Sequence, residues 1–151
     1  MKEDQEAVAK AVLDAAFRVH TGLGPGLLES VYEAALAWEL AQQGLAVERQ
    51  KPIPAFYSGQ PLDVAFRADL IVLGCVLVEL KAVEALQAVH KKTVQTYLRL
   101  IPLELGLLLN FNEAHLKDGV VRIVNGVEGK PFRQVDLRKG AERLRGVPPR
   151  Y

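Results

Sequence analysis

Apolar positions recur every three or four residues at the start of the chain, then give way to alternation and unbroken apolar runs. Val8, Ala11, Val12, Ala15 and Val19 share one helical face. They predict an amphipathic helix over residues 3–20, with an acidic first turn that suits the helix dipole. Gly22-Leu23-Gly24-Pro25-Gly26 ends it. A second helix is expected over about 28–43, with Leu28, Val31, Tyr32, Ala35, Leu36 and Leu40 as its buried stripe and Gly44 as its stop.

The period changes after Gly44. Residues 47–57 read as a strand, but Pro52 and Pro54 confine it to a sheet edge or interrupt it. Ser58-Gly59-Gln60-Pro61 is a turn signal. Residues 62–73 and 76–83 read as two strands of a β-hairpin about Gly74. Residues 88–101 form a third helical segment ended near Pro102. Residues 105–111 are an apolar run of strand length, expected to be a buried central strand. A last strand is expected over 119–124. The order is α-α-β-β-β-α-β-β, which implies an α/β fold with a mixed β-sheet flanked by helices.

Composition narrows the picture. The 151 residues, half of them hydrophobic, suit one ordinary domain with a real core, and no internal repeat or linker divides residues 1–151. Net charge is only +1, so overall balance demands no nucleic-acid partner. The segment from about residue 126 is weakly patterned and basic: between Glu128 and Tyr151, seven Lys or Arg face three Asp or Glu. A solvated terminal segment is the plainer reading of such a tail, and phosphate tracking the alternative. Cys75 is the sole cysteine, which excludes an internal disulfide and a cysteine zinc site. It is expected to be a small packing residue. The opening residues lack the apolar core of a signal peptide, and no apolar run approaches the ~20 residues of a membrane helix. The expected compartment is the cytoplasm, with no membrane partner.

Candidate chemistry gathers around Gly74. Asp69 lies five residues before it and Glu79 five after. A tight turn there sets the two positions opposite or nearly opposite one another, with Cβ atoms about 5–8 Å apart. Such a pair repels unless a cation sits between. Side chains alternate along a strand, so Lys81 shares the Glu79 face. The three groups converge inside an otherwise apolar run, where unpaired acids are costly. An ordinary cross-strand ion pair explains one acid facing one lysine. It explains two acids on one lysine less well. Gly24-Pro25-Gly26 is no nucleotide cradle, since it lacks a preceding strand and a GK[ST] ending.

Asp69 followed by Glu79-Leu80-Lys81 across a hairpin resembles the signature of the PD-(D/E)XK nuclease superfamily. Gly26-Leu27-Leu28-Glu29-Ser30-Val31-Tyr32 resembles the GxxExxY motif that names a family within it. Gln50-Lys51-Pro52-Ile53-Pro54, Arg67-Ala68-Asp69, Val78-Glu79-Leu80-Lys81-Ala82-Val83-Glu84, His90, Tyr97-Leu98 and Gly106-Leu107-Leu108-Leu109-Asn110-Phe111 resemble that family's further blocks. The likeness spans roughly residues 5–125.

What the resemblance implies is a restriction-endonuclease-like core and divalent-metal-dependent hydrolysis of phosphodiesters; the likeness does not supply the substrate, and DNA is the working expectation. Asp69 and Glu79, with the Leu80 backbone carbonyl, are the implied ligands of Mg2+ or Mn2+, a hard cation that prefers oxygen. Lys81 is the implied catalytic residue, either positioning water, stabilising charge, or acting as a base. Glu29 stands where superfamily members place an acid on a core helix; its alternative role is charge at a helix N-terminus. Tyr32, His90, Thr93 and Tyr97 are candidate substrate-positioning residues. For Tyr32 the alternative is a buried ring with its hydroxyl bound elsewhere, and for His90 a surface residue beside Lys91 and Lys92. The sequence departs from the superfamily's QxxxY pair, with Thr93 four residues before Tyr97 where glutamine is usual. That departure motivates a competing reading: a module that keeps the fold but binds nucleic acid or a protein without turnover. A third reading makes Asp69, Glu79 and Lys81 a structural ion cluster. DNA versus RNA and oligomeric state, a homodimer included, are left open.

Overall fold

A computed structural model describes residues 2–125, with side chains from residue 4. The basic segment expected from about residue 126 lies outside the described residues. The elements run α1 (Lys2–Leu23), α2 (Glu29–Gln42), β1 (Val47–Tyr57), β2 (Gln60–Val72), β3 (Val76–Lys81), α3 (Ala88–Leu100), β4 (Leu105–Asn110), a short 3-10 turn (Leu116–Gly119) and β5 (Val120–Val124). This is the order expected from the periodicity. No helix among the described residues is long and apolar enough to cross a membrane.

The five strands form one mixed sheet in the order β1-β2-β3-β4-β5. Only β3 and β4 are parallel. A parallel neighbour needs a crossover, and α3 supplies it. As the prolines require, β1 lies at an edge.

Two tight turns set the hairpin registers. At the β2–β3 turn, Leu73 and Gly74 both have positive φ (51° and 65°), and the Cys75 N–H donates to the Val72 carbonyl at 3.0 Å. A turn left-handed at both central residues matches the twist of the strands it joins. It pairs Val72 with Val76, Ile71 with Leu77 and Leu70 with Val78.

Each face of the sheet is covered by helix. On one face, Leu70, Val72, Val76, Val78, Leu80, Leu107 and Leu109 pack against Val12, Ala16, Val19, Tyr32, Leu36 and Leu40 of α1 and α2. On the other, Ile71, Leu77 and Leu108 pack against Val94 and Leu98 of α3. Every residue of β4 is buried, as expected of an interior strand. Burying one such leucine is worth about 1.5–3 kcal/mol, so the two layers hold the sheet firmly from either side.

The stripe expected on α2 is rotated. Its buried residues are Tyr32, Glu33, Leu36, Ala37 and Leu40, whereas Leu28 and Val31 are exposed. The Tyr32 ring stacks on Phe111 with centroids 4.6 Å apart, and its hydroxyl donates to the Gly24 carbonyl at 2.6 Å and accepts from the Leu27 N–H at 3.1 Å. These contacts set the roll of the helix and turn Glu33 inward. Cys75 is half-buried against the α1–α2 layer, the packing role expected, and burial raises its thiol pKa.

Helix α3 approaches the sheet most closely at Gly106. A Cβ there would lie 2.8 Å from Val94 Cγ1 and 3.3 Å from Leu98 Cδ1. Both side chains are fully buried and have no room to retreat. Gly106→Val is therefore expected to push α3 off the sheet and to cost about 1–3 kcal/mol of stability. Urea unfolding of the variant beside the parent checks this; an unchanged midpoint would show that the contact is slack.

Candidate functional site

The site grows from the point where the β2–β3 ladder stops. Leu70–Val78 is its last paired position. One step further, the carboxylates of the next two facing residues replace the missing backbone bonds. Asp69 Oδ2 accepts the Leu80 N–H at 2.9 Å, and Glu79 Oε1 accepts the Asp69 N–H at 2.9 Å. Each acid is thus tied to the other's strand. The register carries both to one point, which is the convergence the sequence predicts.

A roll in β2 makes this possible. Ala68 and Ile71 both pack on the α3 face, while Leu70 packs on the α1–α2 face. A regular strand alternates faces at every residue, so residues 68 and 71 belong on opposite sides. The strand rotates at Asp69. Directly opposite in β1, between the pairs Arg49–Leu70 and Lys51–Ala68, Gln50 has a φ of 49°. Left-handed backbone costs a non-glycine residue about 1–2 kcal/mol.

Gln50 also joins the acids. Its amide nitrogen donates to Asp69 Oδ1 at 3.0 Å and to Glu33 Oε1 through a short hydrogen bond. Glu33 Oε2 receives Arg49 at 3.1 Å. Glu33 is buried, so these two donors supply the compensation that a desolvated carboxylate needs. Glu33 and Gln50 escape a reading by residue type. The available signal was an acid three and four residues before Leu36 and Ala37, inside the apolar face of α2.

The remaining candidates divide. Lys81 lies on the Glu79 face at the end of β3, half-buried, and its charge bears on the Glu79 carboxyl. Tyr97 reaches the site from α3: its ring sits 5.9 Å from Phe66, and burial first, then the Glu79 charge, raises its hydroxyl pKa. Glu29 is exposed at the first turn of α2, and no described contact brings it to Asp69 or Glu79; Glu33, one turn later, is linked to Asp69 through Gln50. Tyr32 does not reach the site, because its hydroxyl is spent on the loop before α2. His90 caps α3, its Nδ1 accepting the Gln87 N–H at 2.8 Å. The Thr93 hydroxyl donates back to the Val89 carbonyl at 2.9 Å within the helix. Asn110, fully buried, was also missed. Its amide accepts the Val83 N–H and donates to the Val83 carbonyl, fixing the segment that follows Lys81.

Among the described residues, no three or more His, Cys, Asp or Glu side chains group closely enough to hold a metal by themselves. The immediate acids are two. That donor set fits a hard cation that keeps several waters and takes one or two carboxylates. The electrostatics agree. The Glu79 carboxyl is pushed up to about 8, chiefly by burial and then by the Asp69 charge, against weaker lowering by the Asp69 N–H and Lys81. At neutral pH the metal-free pocket therefore holds a proton where a cation is wanted.

This shift has a pH signature. The unfolded carboxyl titrates near 4.5, so between pH 4.5 and about 8 the folded protein holds the extra proton. The stabilisation is complete below pH 4.5 and is lost as pH rises through 8, a change of order a few kcal/mol. Glu79→Gln, which mimics the protonated acid, is expected to flatten that slope and to exceed the parent in stability at pH 8 without metal. Thermal melts from pH 5 to 9 in chelator test it; parallel curves for the two proteins would refute the assignment.

Comparison with known proteins agrees with this geometry. No curated protein and no solved structure is similar enough to match. A model of the PD-(D/E)XK nuclease superfamily matches residues 6–123, which contain both helical layers and all the site residues described above. With most of its length covered by that match, and with the mixed five-stranded sheet of a restriction-endonuclease-like fold, the chain belongs to the PD-(D/E)XK nuclease superfamily.

Proposed function

We propose that this protein is a divalent-metal-dependent nuclease that hydrolyses phosphodiester bonds, with DNA as its substrate and Mg2+ or Mn2+ as its cofactor. The observation that carries the reading is the exchange of Asp69 and Glu79 across β2 and β3, with Lys81 two residues on along the same face. Asp69, Glu79 and the Leu80 carbonyl would hold the ion. When bound, it would polarise the phosphoryl group and lower the pKa of a bound water. Lys81 supplies a cation beside the acids that can orient the water or meet developing negative charge. Tyr97, next to Glu79, is placed to hydrogen-bond a phosphate or the Glu79 carboxylate. Glu33 assists in the part first expected of Glu29, through Gln50 rather than by direct contact.

The finer assignments belong to the same reading. The GxxExxY motif at residues 26–32 supports membership of the family of that name. We take residues 1–151 as one domain acting in the cytoplasm.

One observation favours a weak or silent enzyme. Thr93 stands where glutamine is usual, and its hydroxyl is engaged within α3 instead of facing the acids. In that case the same site would bind nucleic acid or a protein partner without cutting.

Labelled single- and double-stranded DNA and RNA, incubated with the protein and Mg2+ or Mn2+, decide between these. Metal-dependent cleavage is expected, reduced about 10²–10³-fold by Lys81→Ala and by Asp69→Ala. Cleavage that both variants retain would overturn the assignment. Salt-sensitive binding without turnover would favour the silent module.

A further inference from the structure

The side chain of Gln50 does what no sequence block assigns it to do. Its amide nitrogen has two hydrogens and donates to two carboxylates, Asp69 on β2 and Glu33 on α2. Both neighbours are acceptors, so only one orientation of the amide satisfies them. A neutral donor therefore occupies the space between two acids. Two-metal phosphodiesterases hold their ions about 3.5–4 Å apart, bridged by a shared carboxylate. Asp69 is the one acid here with a neighbour on each side: Glu79 toward β3 and Glu33 toward α2.

The backbone supports a built device. Gln50 sits in left-handed conformation in mid-strand, opposite the roll at Asp69. Strained residues persist where the surroundings over-determine them, and they concentrate at functional sites. The Arg67 guanidinium donates to the Gln50 main-chain carbonyl at 3.4 Å, and Arg49 holds the far oxygen of Glu33. The first contact holds the Gln50 backbone, the second one of the acceptors of its amide.

We propose that Gln50 limits the site to a single divalent ion, between Asp69 and Glu79, by filling with its amide the place between Asp69 and Glu33 where a second ion would sit. The proposal rests on the metal-dependent reading above. Gln50 acts here as a positioning residue, through Asp69.

Manganese alone is the probe. Its binding is followed by calorimetry for stoichiometry and by electron paramagnetic resonance for pairing of ions. Gln50→Gly removes the amide while keeping the left-handed backbone at no steric cost, so the variant is expected to fold. The parent is expected to bind one Mn2+ with an uncoupled spectrum. Gln50→Gly is expected to bind two, with the dipolar signature of a close pair. Adding Glu33→Gln to Gln50→Gly is expected to return the count to one. Two ions in the parent, or one in folded Gln50→Gly, overturn the role of Gln50 and leave the nuclease reading standing. No ion in the folded parent overturns both.

Discussion

Two carboxylates standing in for backbone hydrogen bonds are the constraint on which this site depends. Where β2 and β3 cease to pair, Asp69 and Glu79 each accept a main-chain N–H from the opposite strand. The arrangement satisfies donors that a splayed ladder would leave orphaned. It also sets two carboxyl groups in a low-dielectric pocket, where burial first and the Asp69 charge second raise the Glu79 carboxyl to about 8. The same geometry therefore serves fold and chemistry: it closes the end of the hairpin and leaves an electrostatic demand for a cation.

The rest of the structure can be understood as support for that exchange. The left-handed turn at Leu73 and Gly74 sets the register that puts residue 69 opposite 79. The roll at Asp69 lets one side chain reach toward both neighbouring strands, and the strained Gln50 beside it ties the result to Glu33. On the far side, Asn110 holds Val83, and Gly106 admits α3 close enough for Tyr97 to sense Glu79. Each of these parts is buried or bonded at both ends, which is how a scaffold holds a site to the tolerance that metal chemistry requires.

Much of this was legible in the residues. Helical periodicity located α1, α2 and α3, and the prolines placed β1 at an edge. The symmetric spacing of Asp69 and Glu79 about Gly74 foretold their meeting, because a connection of three residues, Leu73, Gly74 and Cys75, pairs positions whose numbers are symmetric about 74. Less legible was the roll of α2. An apolar stripe broad enough to include Leu28 and Val31 permits several rotations, and the Tyr32 contacts with Phe111 and Gly24 select one. That choice exposed Glu29 and buried Glu33.

The chain's own pattern of side chains determined the elements, their order, and the acid pair with its lysine, because periodicity and turn chemistry are local and act within a few residues. The tertiary structure decided which acid of α2 faces inward, that His90 and Thr93 serve their own helix, and that Gln50 bridges Asp69 and Glu33. Those outcomes depend on contacts between residues distant in sequence and on a backbone angle that glutamine adopts only under constraint. No local preference encodes them; they arise when helix and sheet are pressed together and each buried polar atom must find a partner.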